Sequence, residues 1–314
     1  MDLDALRAAF ERGRGKTKVF IHNTPHNPTG AVFTREETEA VAAMCEEFDV
    51  VVLADEVYER CTFGEDVEVT RMANVAGMRN RTLTVGTSSK LLCLSGWRVG
   101  WMTGPPGLIG GIRMMHSYAT FCAPTPLQLG VAAALERIAD QADTATRSRA
   151  RAAAEAVHEA ASEGAEGGHA TGESAVTDGD GTEGRGTRAA AAAAIALGGA
   201  LTPDSTASVM ANNAEVLGAA LREVGLRVFK PRGGYFLVAD VSPLGGGEAG
   251  ALTSVEYCRR LAHGPAKVAA VPLDVFYDPA APSPCPSTYV RFAVCKKPET
   301  IAACAAAIRA HPVQ

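Results

Sequence analysis

Apolar residues recur at helical spacing from Asp2 to Arg14, where Leu3, Leu6 and Phe10 share one face. Lys18 to His22 reads as a short strand delivering NTPHNPTG, Asn23 to Gly30. The helical period returns from Thr34 to Phe48, with Thr34 as N-cap and Glu37 as its capping-box partner three residues on. Asp49 to Ala54 is a continuous apolar strand of the kind buried in parallel sheets. Thr82 to Val85 alternates β-branched and apolar residues, which predicts another buried strand. Small residues follow from Gly86 to Ser89, making a tip that carries Lys90, and then come Gly96 and a second strand carrying Arg98. Strand and helix alternation through Met102 predicts an α/β fold around a doubly wound, mostly parallel sheet.

Gly107 to Phe121 and Pro124 to Ala152 carry helical patterns. From Ser162 to Thr187 the composition collapses largely to Gly, Ala, Glu, Ser, Asp and Thr, without an aromatic residue. Such a segment cannot bury enough surface to order itself, so residues 162–187 are expected to be a disordered, protease-sensitive insertion. The Ala-rich run Arg188 to Leu201 and the stretch Val209 to Val224 are expected helices. RVFKPRGGYFLVADV then turns through Gly233 and Gly234 into a strand. VAAVPLDVFY and YVRFAV supply the other strands of a smaller α+β unit.

A length of 314 residues is enough for two domains with cores of their own. The formal net charge of −5 gives no basis for nucleic-acid or membrane-surface binding. Eight cysteines without a CxxC pair or metal-ligand spacing read as reduced intracellular thiols. The histidines show no metal spacing either, so no metal is expected. No run approaches a membrane span, and the acidic, amphipathic start carries no recognisable presequence, so the expected location is cytoplasmic. GRGKT at 13–17 is not a P-loop, because Phe10 stands where the first glycine belongs and the preceding pattern is helical.

Three residues stand out chemically. Lys90, set after small residues and before apolar ones, is a candidate Schiff-base nucleophile, though a lysine at a strand end is often only a solvated charge. Asp55 follows an apolar run and so lies at the C-terminal end of a buried strand, where α/β proteins bind ligands. A carboxylate there needs a cation, unless it serves as a helix N-cap. Arg291 interrupts an apolar strand, where its planar fork suits either a carboxylate ligand or an internal salt bridge.

In chain order NTPHNPTG, VVVLADEVY, SSK with GWRVGW, and YVRF resemble the class I/II aminotransferases, pyridoxal 5'-phosphate (PLP) enzymes of fold type I. HSYxTF (His116 to Phe121) and VRFAVCKKPET narrow the likeness to the kynurenine aminotransferase, glutamine transaminase K and cysteine-conjugate β-lyase group. The resemblance is close from Lys16 to about Gln128 and moderate from Val224 onward. It implies that Lys90 carries the cofactor and shuttles the substrate proton, while Asp55 pairs with the protonated pyridine nitrogen. Tyr58 and Asn27 are implied partners of the cofactor's phenolic oxygen, and Thr87, Ser89 and Arg98 of its phosphate, with a surface charge as the alternative for Arg98. Arg291 is implied to bind the substrate α-carboxylate. His26, Trp97, Tyr235 and Phe276 read as packing or framework residues. The resemblance also implies a cis Asn27–Pro28 bond.

The implied reaction moves an amino group between an amino acid, aromatic or sulfur-containing, and a 2-oxo acid, in a homodimer. β-Elimination from cysteine conjugates would use the same lysine and electron sink, and a non-catalytic fragment that binds protein partners is a third reading. Family members carry considerable sequence ahead of NTPHNPTG, so the chain is expected to lack the front of the large domain. On that expectation it holds PLP weakly, turns over little and exposes an apolar sheet edge. The expected division is a remaining PLP-binding domain at 1–130, a connecting helix at 131–161, the insertion at 162–187 and a small C-terminal domain at 188–314.

Overall fold

The computed structural model describes residues 1–64, 66–141, 203–245, 252–278 and 286–313. The expected insertion, the connecting helix beyond residue 141 and the Ala-rich run before residue 203 lie outside the described residues.

Helix α1 (Leu3–Arg12), capped by Asp2, leads into β1 (Val19–Asn23). Helix α2 (Arg35–Glu47) starts with the expected capping box: Glu37 N–H donates to Thr34 Oγ1, and Thr34 N–H to the Glu37 carboxylate. Strands β2 (Val51–Asp55) and β3 (Thr82–Thr87) follow, then a one-turn helix α3 (Ser88–Leu91) and β4 (Gly100–Thr103). The sheet order is β1-β2-β3-β4, with the first three strands parallel and β4 antiparallel. Val41, Met44, Val50, Val52 and Met72 form a core beneath it with Phe10 and Phe48. On the outer strand β1, Val19 and Ile21 are 52% and 62% exposed, an apolar edge of the kind expected.

Helices α4 (Pro106–Ala119) and α5 (Thr125–Gln141) come next, and α6 (Pro203–Glu223) opens the second half. Strands β5 (Arg227–Phe229) and β6 (Phe236–Asp240) precede helix α7 (Ser254–His263). After them come β7 (Val271–Pro272), β8 (Tyr289–Ala293) and helix α8 (Pro298–Ala310). These strands make a second, antiparallel sheet in the order β5-β6-β8-β7. One apolar cluster joins the halves, packing Tyr58 and Cys61 from the loop after β2 with Tyr235, Leu237 and Phe292. Gly30 sits at the seam with φ +72°, and a Cβ there would meet Pro231 at 2.8 Å. That approach lets Arg232 N–H reach the Gly30 carbonyl at 2.8 Å.

Three sequence expectations change. Lys90 lies within α3 rather than on a loop tip. Arg98 is not in a strand: Ser95–Trp97 forms a 3-10 turn, Arg98 adopts φ +57°, and β4 begins only at Gly100. VAAVPLDVFY is not a full strand either. Pro272 has no N–H to continue the ladder, and Leu273–Phe276 winds into a 3-10 turn.

His22, on β1 and packed against Phe20 and Phe33, is fully buried, and neither ring nitrogen has a hydrogen-bond partner among the described residues. Burial pushes its pKa down from 6.5 to about 4, against a smaller opposing pull from Glu37. The folded state therefore holds neutral His22 while the unfolded chain takes up a proton. The resulting stability is lost as pH falls from the unfolded value toward about 4. Between about pH 7.5 and about pH 5, wild type should lose about 2 kcal/mol more than His22→Leu in urea unfolding. Equal losses in the two proteins would remove His22 as the cause.

Candidate active site

The parallel strands end together. In register, Asn23 of β1 pairs with Asp55 of β2, and Asp55 with Val85 of β3. The loop after β1 therefore carries Asn27, the end of β2 carries Asp55 and then Tyr58, and the end of β3 carries Thr87, Ser89 and Lys90. All six lie along the C-terminal edge of one sheet, as the apolar run lengths imply.

Asn23 ties the first two strand ends. Its Nδ2 donates to the Asp55 carbonyl at 3.0 Å, and its Oδ1 accepts from Asn27 N–H at 2.8 Å. Asn27–Pro28 is cis, as expected, and so is Thr24–Pro25. Asp55 Oδ1 is buried without a partner among the described residues. Burial raises the Asp55 pKa, while a hydrogen bond from Val57 N–H pulls the other way. A half-satisfied carboxylate at a strand end is poised for a cation or an N–H donor.

Lys90 Nζ lies 5.6 Å from the centroid of the Tyr58 ring and 5.1 Å from that of Tyr235. Both distances fall within the range of cation–π attraction. Tyr235 OH also donates to the Lys90 carbonyl at 3.1 Å, fixing the backbone beneath the amine. Burial pushes the Tyr58 hydroxyl up to about 12, and nearby Cys295 and Asp55 act in the same direction. Its phenol is therefore a proton donor at neutral pH.

Arg291 reaches across from β8 and donates through Nη1 to Asn27 Oδ1 at 2.9 Å. Its guanidinium is held between two rings, 4.0 Å from the Phe236 centroid and 4.3 Å from that of Phe276. Burial lowers its pKa from the ordinary arginine value, and the facing Tyr58 raises it. Among the described residues Arg291 makes no ion pair, so the internal salt bridge weighed against ligand binding is absent there.

Thr87, Ser89 and Arg98 share a cleft beside this group, with Gly86 and Trp101. Thr87 caps α3 by accepting from Ser89 N–H at 3.2 Å. Arg98 is exposed and donates to the Ser95 carbonyl at 3.2 Å, short of the Lys90–Tyr58–Tyr235 group. The structure thus brings Lys90, Tyr58, Asp55, Asn27 and Arg291 to one place and sets the other three along its flank.

Sequence reasoning missed four contributors. Tyr235 and Phe276, read as packing, contact Lys90 and Arg291 directly, Phe236 is the other ring on Arg291, and Asn23 ties the strand ends. Asn23 was findable, because it is the polar residue closing an apolar strand at the same edge as Asp55. Tyr235 comes from the residue before β6 and Phe276 from the 3-10 turn after β7, and no local pattern marks them.

The solved structure of N-succinyldiaminopimelate aminotransferase from Mycobacterium tuberculosis superposes with a TM-score of 0.69 at 29% identity. The match covers 99% of this chain and 62% of that one, and it places the fold among the fold-type-I aminotransferases. Residues 1–162 match the aminotransferase class I and II family, to which the chain belongs. A sequence named probable N-succinyldiaminopimelate aminotransferase DapC, from the same organism, is 30% identical over 312 residues. That alignment takes in 96% of this chain and 59% of the relative. Kynurenine–oxoglutarate transaminase of Dictyostelium discoideum is 43% identical over 136 residues, 43% of this chain and 30% of the relative. The chain thus spans about three-fifths of the length of its full-length match. Among the described residues, no helix is long and apolar enough to cross a membrane.

Proposed function

We propose that this chain carries the cofactor-bearing site of an aminotransferase that exchanges an amino group between an amino acid and a 2-oxo acid. The observation that carries the reading is the Asp55 oxygen without a partner among the described residues, buried at the strand end beside the strand that delivers Lys90. That donor set fits PLP: a carboxylate for the ring nitrogen, an amine for the aldehyde, and hydroxyls with an arginine for the phosphate. When bound, PLP supplies the electron sink that makes the substrate Cα proton acidic. Lys90 would hold the aldehyde carbon and, once displaced by the substrate amine, carry the proton from Cα. Asp55 would keep a proton on the ring nitrogen. Tyr58 and the Asn27 amide would donate to the phenolic oxygen, and Thr87, Ser89 and Arg98 to the phosphate. Arg291, clamped by two rings, would present its free edge to the α-carboxylate.

The units that do this are proposed as a PLP-binding part at 1–130 and a smaller one at 188–314. Homodimer formation is proposed too, supported by the exposed Met115, Tyr118 and Phe121 at and beyond the α4 end. The donor is proposed from the relatives' names: kynurenine or another aromatic or sulfur-containing amino acid, with N-succinyldiaminopimelate as the second class. The chain is incubated with PLP, 2-oxoglutarate and each donor, and 2-oxo acid products are read by mass spectrometry. Sedimentation is run at the assay concentration. Glutamate formation matched by donor-derived 2-oxo acid is the expected result. Thiol release from a cysteine conjugate without glutamate would assign β-elimination instead. Neither product with any donor would sink the enzymatic reading, and a monomer at assay concentration the dimeric one.

A further inference from the structure

A second cleft of about 360 Å³ opens at the opposite end of β3 from Lys90. Its polar lining is Asn74, Arg79, Asn80, Thr82, Thr84 and Thr103, and no carboxylate faces it. Thr82 and Thr84 point to one face of β3, and Thr103 is the β4 residue paired with Thr84. The three hydroxyls therefore form one floor. Gly104 keeps that floor close, since a Cβ there would meet Leu83 at 2.8 Å and the Thr82 carbonyl at 2.9 Å. Thr82 is 1% exposed, and its hydroxyl has no hydrogen-bond partner among the described residues. A buried hydroxyl with no partner is an unmet cost unless something completes it.

The charge has one sign. Arg79 has no ion pair and no side-chain hydrogen bond among the described residues. Helix α4 starts at the rim with Pro106 and has no acidic residue in its first turn. Donors on several sides suit a tetrahedral oxyanion, whereas a planar carboxylate would be satisfied by one guanidinium edge. The volume lies near the lower limit for ligand pockets, which fits a small metabolite. Thr82 stands five residues before Thr87 on the same strand, about 17 Å at strand rise, so this is a different place from the proposed cofactor phosphate contacts.

We infer that this cleft binds the phosphate group of a small phosphorylated metabolite, with Arg79 as the charged contact and Thr82, Thr84 and Thr103 as hydroxyl donors. The test is amide NMR of the full chain titrated with inorganic phosphate up to about 20 mM, with chloride at matched ionic strength as the control. The amides of Thr82, Thr84 and Thr103 should shift saturably with phosphate and not with chloride. Arg79→Gln, an exposed change that leaves the core untouched, should weaken that response at least about tenfold while sparing shifts at Thr87 and Ser89. Arg98→Gln should do the reverse, which separates this site from the cofactor's. Thr82→Val should weaken it about threefold to tenfold. No saturable shift at the three threonines, an equal response to chloride, or an undiminished response in Arg79→Gln would overturn the inference.

Discussion

Lys90→Ala is expected to abolish the covalent PLP adduct that borohydride fixes in wild type, and all amino-group transfer with it. Borohydride turns a lysine–aldehyde linkage into a stable secondary amine, so the adduct can be placed on a peptide by mass spectrometry. Lys90 should dominate because of its setting. Its amine lies against the Tyr58 and Tyr235 rings, with no ion pair among the described residues to hold it elsewhere. Surface lysines have no neighbouring carboxylate, phenol and arginine arranged to hold the rest of the cofactor, so their labelling should be weak and scattered. The variant should fold, because the Tyr235 hydroxyl bonds the residue's backbone carbonyl rather than its amine. Equal circular dichroism with loss of the adduct is the expected pair of results. Equal trapping on wild type and Lys90→Ala would remove Lys90 from the mechanism, whatever cofactor binds.

That prediction could be written from the sequence because its elements are local. Apolar runs set where β2 and β3 end, and strand ends are where an α/β sheet presents ligand-binding groups. Asp55 and Lys90 were therefore legible, as was the α2 capping box from Thr34 and Glu37. What was not legible depends on distant partners. Phe236 and Phe276 clamp Arg291 from a neighbouring strand and a 3-10 turn, a pairing with no sequence period. Arg98 was misplaced because GWRVGW has the alternation of a strand, whereas the Ser95–Trp97 turn and a left-handed Arg98 interrupt it. VAAVPLDVFY, Val268 to Tyr277, reads as one strand, but only Val271 and Pro272 pair before the missing proline N–H stops the ladder.

Asp55→Asn should act in opposite directions on the cofactor-free fold and on catalysis. Without cofactor, Asp55 has one oxygen buried and unpartnered, and burial raises its pKa above the ordinary 3.8. A raised carboxylate pKa means the folded state binds the proton more tightly than the unfolded chain. Its cost is absent below about 3.8, grows as pH rises toward the folded pKa, and is complete above it. Asparagine keeps the shape and cannot ionise, so at neutral pH the cofactor-free variant should be more stable than wild type. The gain should vanish in acid, where Asp55 is protonated in both states. With PLP the sign should reverse, because in the proposed site the Asp55 carboxylate keeps the ring nitrogen protonated and a neutral asparagine does not. Losing one such electrostatic partner costs about 10²–10³-fold in turnover, and amino-group transfer should fall by that much. The Lys90 adduct should still form, since the aldehyde end of the cofactor is untouched. Urea unfolding across pH without PLP, set beside product assays with it, reads both arms. A variant less stable than wild type at neutral pH would mean that Asp55 is already satisfied within the protein. Unchanged turnover would mean that it does not face the ring nitrogen.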